Sequence, residues 1–216
     1  MNPANNTEPL RQEVRAWLGQ NVPAGWRAAM TGTDQQSFVR LQRDWFGKLS
    51  AAGFATPHWP QGWPGGGRSL AEQKVIYEEV ARADAPRLIL FFVALYHAAC
   101  TLLECGTDEQ RQKYLPGIVA GDIWCQGFSE PNAGSDLASV KTRAERRGDK
   151  YIVNGQKTWS TMAQYADRCV LLTRTGTPEV ATDPMGLEVS DVFVSLTPRE
   201  HWKRASTQEE LVKEME

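Results

Sequence analysis

Three times before Asp122, a hydroxyl residue is followed three positions later by Gln or Glu and then by apolar residues at helical spacing. Thr33 with Gln36 precedes Phe38, Leu41, Trp45 and Leu49; Ser69 with Glu72 precedes Val75, Ile76 and Val80; Thr107 with Gln110 precedes Tyr114 and Leu115. Such pairs satisfy amide groups that a first helical turn leaves unbonded, so each marks a helix start. Steps of three and four residues put the apolar side chains on one face, which predicts a helical bundle over residues 1–121. Between the first two boxes, Thr56 to Pro64 carries three prolines and is followed by three glycines. That run forbids a continuous helix and reads as a loop pinned by Trp59 and Trp63.

From Asp122 the period changes. Lys150-Tyr151-Ile152-Val153, then Asn154-Gly155, then Gln156-Lys157-Thr158-Trp159 form a strong hairpin signal, and Cys169 to Thr173 reads as a further strand. Helices followed by strands predict α+β architecture: an N-terminal helical bundle, then an incomplete antiparallel β domain over 122–174, then a short β-turn-α tail over 175–216. In the tail, Val189 to Leu196 reads as a strand and Thr207 with Glu210 as a helix start.

Composition narrows the function classes. With 24 Lys plus Arg against 26 Asp plus Glu, the formal charge of -2 gives no electrostatic footprint for nucleic acid or an anionic membrane. Cys100, Cys105, Cys125 and Cys169 form no CxxC pair and have no His at zinc spacing, so no metal site is expected. Met1 to Pro9 lacks a basic and apolar leader, so a cytoplasmic location is expected. The longest apolar run, Leu88 to Leu103, is broken by Tyr96, His97 and Thr101, and is short of the ~20 residues of a membrane span. It reads as one helix buried on all sides of the bundle.

The chemistry-bearing stretch is Gln126-Gly127-Phe128-Ser129-Glu130-Pro131-Asn132-Ala133-Gly134-Ser135-Asp136, with Asn154 to Thr161 downstream. Small residues let backbone amides approach a ligand, hydroxyls donate to ring nitrogens or carbonyls, and Trp159 offers a flat apolar face. The residues suit a planar, hydrogen-bonding cofactor; they also suit a turn and hairpin around a core tryptophan.

The whole string resembles the signature of the acyl-coenzyme A dehydrogenase family, in which an aromatic or apolar residue, Ser or Thr, Glu, Pro and then Gly-Ser-Asp come in this order. Gly106 to Pro116 is similar to the family's helix leading into its β domain, and the resemblance spans about residues 5 to 174. It implies an FAD-dependent oxidoreductase of fatty acid metabolism that removes an α proton from an acyl-coenzyme A thioester while hydride leaves the β carbon for the flavin. It implies that Phe128 and Ser129 line the flavin, that Trp159, Ser160 and Thr161 pack against or bond to the ring, and that Ser135 contacts the coenzyme A moiety. Val93 and His97 become acyl-pocket candidates, with a satisfied core histidine an equal reading of His97. Glu130 and Asp136 are expected to fix backbone turns. An electron-transfer flavoprotein or another acceptor is the implied redox partner.

The expectation is that this chain stops before the catalytic base, so no catalytic residue is assigned. A truncated, inactive flavoprotein prone to self-association through an open sheet edge is one outcome. A non-catalytic module that binds no flavin is the other. Ser190 to Trp202 and Thr207 to Val212 resemble a piece of the porter region of heavy-metal efflux transporters of the resistance-nodulation-division type, which implies a fusion near Thr175.

Overall fold

The computed structural model describes residues 6–136, 139–148, 150–175 and 189–195, in two compact units, 1–121 and 122–216. The first is helical: α1 (Glu8–Asn21), α2 (Trp26–Met30), α3 (Gln35–Ala51), α4 (Leu70–Arg82), a 3-10 turn (Ile89–Phe91), a π-helical turn (Ala94–Ala98), α5 (Ala99–Cys105) and α6 (Asp108–Ala120). The boxes at Ser69/Glu72 and Thr107/Gln110 cap α4 and α6 reciprocally, as their spacing predicts. The first box is displaced by one residue. Asp34, not Thr33, caps α3, its carboxylate accepting from the Gln36 and Ser37 amides at 2.9 and 3.0 Å. A carboxylate there also meets the positive end of the helix dipole, while the Thr33 hydroxyl is taken by the Ala29 carbonyl.

The core of this unit gathers the predicted faces. Trp45, Phe46 and Leu49 of α3, Val75 and Ile76 of α4, and Leu115 and Ile118 of α6 are buried, and Phe46 stacks on Phe91 at 4.1 Å between centroids. Trp59 is buried and meets Trp63 edge-on, so the proline-rich loop is pinned as its tryptophans suggest. Its glycines are steric necessities: a Cβ on Gly66 would lie 2.7 Å from the Trp59 carbonyl oxygen.

Leu88 to Leu103 departs from expectation twice. It is not one helix but a 3-10 turn, a π turn and α5 in succession, and it is not buried on all sides. Leu90, Phe91, Ala94, Leu95, Ala98 and Leu102 face the core, whereas Ile89, Phe92 and Tyr96 are 47%, 53% and 41% exposed. The wider π turn keeps Phe92 and Tyr96 side by side, 5.5 Å apart, and His58 stacks on Tyr96 at 5.2 Å. Among the described residues no helix is long and apolar enough to cross a membrane.

The second unit holds β1 (Trp124–Gly127), β2 (Arg143–Arg147), β3 (Lys150–Asn154), β4 (Arg168–Thr175) and β5 (Val189–Ser195). The α+β class stands, but the sheet is mixed. β4 runs parallel to β1 (Trp124 opposite Arg168) and to β2 (Arg143 opposite Arg174), and antiparallel to β5; β2 and β3 are antiparallel. Since β5 pairs with residues 168–174 of β4, β1 and β2 must share its other edge, one after the other. The segment between them, residues 128–142, is therefore an excursion from a single ladder.

Asn154-Gly155 does not turn a hairpin. The antiparallel pair is 143–147 with 150–154, closed near Gly148 at φ 65°, and residues 155–160 run on without strand pairing. Gly155 is needed for a different reason: a Cβ there would lie 2.6 Å from the Thr142 Cα. The expected tail helix at Thr207 lies outside the described residues.

The first unit is tied by one buried carboxylate. Glu79 of α4, 1% exposed, accepts from Arg11 of α1 at 2.6 Å and from Arg15 of α1 at 2.9 and 3.0 Å. The Arg15 and Arg11 guanidinium groups hold it at about 2, against burial, which pushes the other way. Removing both arginines leaves this buried charge with Arg82 alone, 3.6 Å away on its own helix, while Glu79→Gln strands no charge, because the arginines reach water. We expect Arg11→Ala with Arg15→Ala to lower Tm by roughly 5 °C or more, and by more than Glu79→Gln, in calorimetric melts at pH 7.

Candidate functional site

The excursion after β1 begins with a tight turn. The Glu130 amide donates to the Ala133 carbonyl at 2.7 Å and the Ala133 amide returns to Glu130 at 3.2 Å, folding Pro131 and Asn132 outward. The Glu130 carboxylate turns inward and is 8% exposed. It accepts from the Lys141 amide at 2.7 Å, the Thr142 amide at 2.8 Å and Lys157 Nζ at 2.9 Å. Lys157 also donates to the Phe128 carbonyl at 3.0 Å. One carboxylate thus joins the start of the loop, its return to β2 and the segment leaving β3. Glu130 fixes backbone, as expected; the Asp136 carboxylate instead accepts from the Ser139 hydroxyl, a bond between side chains.

A direct bond completes the link, the Thr158 amide donating to the Ser129 carbonyl at 2.9 Å. The structure therefore brings Phe128 and Ser129 against Lys157 and Thr158, and the next residues in the chain are Trp159, Ser160 and Thr161. Trp159 is not a core tryptophan. It is 88% exposed and sits at φ 57°, a region bulky side chains rarely occupy and that costs on the order of 1–3 kcal/mol. Met162 follows at φ 64°, and the Ala163 amide donates to the Ser160 carbonyl at 3.2 Å, so a turn presents the indole outward. Thr161 is exposed, while Phe128, Ser129 and Ser160 are half-buried. Ser135 is also exposed, five residues beyond Glu130 in the same excursion. Val93 and His97 belong to the first unit, Val93 buried and His97 half-buried beside Phe92.

Three buried side-chain atoms in this region have no protein partner: Gln126 Oε1, Thr142 Oγ1 and Thr158 Oγ1. Each such atom costs about 1–3 kcal/mol unless something bonds to it. They offer an acceptor and two hydroxyls, which suit a ligand that carries both an imide-type N–H and carbonyl groups. The exposed indole of Trp159, next in the chain to Thr158, suits a planar ring. The residues present therefore fit a flavin. Gln126, Lys157 and Thr158 were not singled out by sequence reasoning. Only the alternation along β1 hinted at Gln126, and no local signal pairs Lys157 with a carboxylate 27 residues earlier. Among the described residues, no group of three or more His, Cys, Asp or Glu could hold a metal ion.

Burial alone would raise the Glu130 pKa; the bonds from Thr142, Lys141 and Lys157 outweigh it and hold it at about 2. A depressed carboxyl stabilises the fold fully above its unfolded value of about 4.3, and that stability is lost as pH falls toward 2. We expect Glu130→Gln to destabilise the chain by about 2–3 kcal/mol at pH 7 in urea titrations, with the gap to the unmodified chain closing between about pH 5 and pH 2. Glu79 titrates over the same range in both proteins, so the difference isolates Glu130.

The model of the acyl-CoA dehydrogenase N-terminal domain matches residues 5–122, and that of the acyl-CoA dehydrogenase middle domain matches residues 125–206. The second match runs well past Thr175, and β5 pairs with β4 over seven register positions, so the resemblance of the tail to an efflux transporter has no support. The chain is 42% identical over 176 residues to the acyl-CoA dehydrogenase IpdE1 of Mycobacterium tuberculosis, covering 79% of this chain and 45% of that protein. Among solved structures it is similar to the Tcur3481-Tcur3483 steroid ACAD, at 36% identity and a TM-score of 0.65. It is also similar to the ChsE4-ChsE5 complex of M. tuberculosis, at 34% identity and a TM-score of 0.69; each structural match covers 90% of this chain and 48% of the other. The chain thus spans about half the length of the relatives it matches. By these matches, it belongs to the acyl-CoA dehydrogenase family.

Proposed function

We propose that this chain supplies the acyl-chain side and one wall of the flavin site of an FAD-dependent acyl-CoA dehydrogenase. The observation that carries this is the Thr158 to Ser129 bond, which clamps a serine-lined loop to the segment presenting an exposed, strained Trp159. Phe128, Ser129, Trp159, Ser160 and Thr161 are the proposed flavin contacts, with Gln126 and Thr158 added by their unpartnered polar atoms. When bound, the flavin would accept the hydride that leaves the β carbon of the acyl thioester. This chain's residues would orient the ring, exclude water from one face and donate hydrogen bonds along its edge. No residue here is assigned as the base that takes the α proton.

Ser135 is the proposed coenzyme A contact, and Val93 and His97 the proposed acyl-pocket residues. The exposed pair Phe92 and Tyr96 adds two aromatic rings beside them, which favours a bulky or ring-containing acyl group over a thin linear one. The steroid dehydrogenase among the similar structures is in keeping with that choice. The proposed partners are the acyl-CoA substrate, an electron-transfer flavoprotein or similar acceptor, and a protein chain of the same family, as in the ChsE4-ChsE5 complex. β3 ends the sheet among the described residues, and its free edge is the proposed route for self-association. A cytoplasmic location is part of the same reading.

The test is to purify the full chain, add FAD, and follow visible absorbance after gel filtration together with quenching of tryptophan emission. We expect retained flavin, quenching that is mostly lost in Trp159→Phe, and about tenfold weaker binding in Thr161→Ala, the loss of one hydrogen bond. A folded chain that retains no flavin at high FAD concentration would establish the second reading, a non-catalytic module.

A further inference from the structure

Below the loop lies a pair of thiols that the flavin reading does not use. Cys125 of β1 and Cys169 of β4 are register partners on parallel strands, so their Cβ atoms leave the same face of the sheet. Adjacent strands lie about 4.8 Å apart, inside the Cα separation a disulfide accepts. The two residues are 2% and 8% exposed and both are free thiols, Cys169 Sγ donating to the Val170 carbonyl at 3.5 Å. Gly127 leaves the room for this: a Cβ there would lie 3.5 Å from Cys169 Sγ and 2.6 Å from the Leu171 side chain.

We propose that Cys125 and Cys169 are an oxidation site at which a small hydroperoxide closes an intramolecular cross-strand disulfide. The Cys125 sulfur attacks the peroxide, taking one oxygen as a sulfenic acid while the O–O bond breaks and the remaining oxygen leaves as an alcohol or as water. Cys169 Sγ then attacks the sulfenyl sulfur, the S–S bond forms, and the sulfenyl oxygen departs as water with the Cys169 thiol proton; two thiols are oxidised and one peroxide is reduced. The order of attack follows from the pairing of the two thiols, the neighbouring Cys169 lowering the pKa of Cys125 while Cys125 and burial raise that of Cys169. The Lys157 side chain adds a positive charge on the same side, its Cγ packing against Gly127 and its charge lowering the Cys169 pKa in part. Forming the bond ties β1 to β4 directly beneath the start of residues 128–142.

The experiment is to treat the native full chain with hydrogen peroxide, block residual thiols, digest with trypsin without reduction and map the peptides by mass. The expected product joins residues 114–141 to residues 169–174, at a mass lower by two hydrogens than the two peptides together. A Cys100→Ser, Cys105→Ser variant should form it at an unchanged rate, and Cys125→Ser should leave Cys169 oxidising about tenfold more slowly. A disulfide within or to residues 88–111, or sulfinic acid at either thiol with no cross-link, would overturn the proposal. Because the readout is on the unmodified sequence, poor folding of a variant does not remove the test.

Discussion

The second unit depends on a single buried carboxylate. Glu130 carries a negative charge into a place where it is 8% exposed, and such a charge is tolerated only when donors surround it. Here two backbone amides and one ammonium do so, and they come from two different stretches of chain. The donors at Lys141 and Thr142 set where the excursion re-enters β2. Lys157 sets where the chain leaving β3 returns to the loop, and its second bond to the Phe128 carbonyl fixes the first residue of the excursion. The neighbouring bond between Thr158 and Ser129 then follows almost without freedom. The carboxylate works indirectly, by making the shape that other side chains use.

The helical unit uses the same device in another form. Glu79 on α4 is nearly inaccessible and is met by two arginines from α1, with Arg82 at 3.6 Å on its own helix. The two helices bury Leu10, Val14 and Leu18 on one side and Val75 and Ile76 on the other, which gives attraction but little choice of register. The directional bonds to Glu79 supply that choice. In both units, then, apolar area drives collapse and a desolvated carboxylate picks one arrangement out of several.

The starts of α4 and α6 were legible because capping is local chemistry. Ser69 with Glu72 and Thr107 with Gln110 need only three residues of separation to declare themselves. Thr33 misled because Asp34, next to it, is an equally good cap, and sequence does not say which oxygen reaches the amides. Asn154-Gly155 misled for a related reason: the pair permits a hairpin, yet the glycine serves a close approach to Thr142, a tertiary fact with no local trace. The π turn at Ala94 to Ala98 was hidden as well, since its apolar residues read equally well as a regular helix. Within the site, hydroxyls and aromatics in the loop could be picked out by type. The Glu130 to Lys157 pair could not, because long-range partners are chosen by the sheet and not by spacing.

β4 carries β1 and β2 in tandem along one side, with residues 128–142 emerging at the junction between them. A loop joining two separate ladders has to span a fixed gap, and its length is constrained by the strands at both ends. An insertion budding from a shared rail has its feet only a few residues apart on that rail, so loop closure costs grow only slowly with length. Evolution is thereby free to lengthen, shorten or rewrite the middle of the excursion while Glu130 and its donors hold the feet in place. A family built on this plan gains a ligand-facing surface that varies independently of the sheet that supports it.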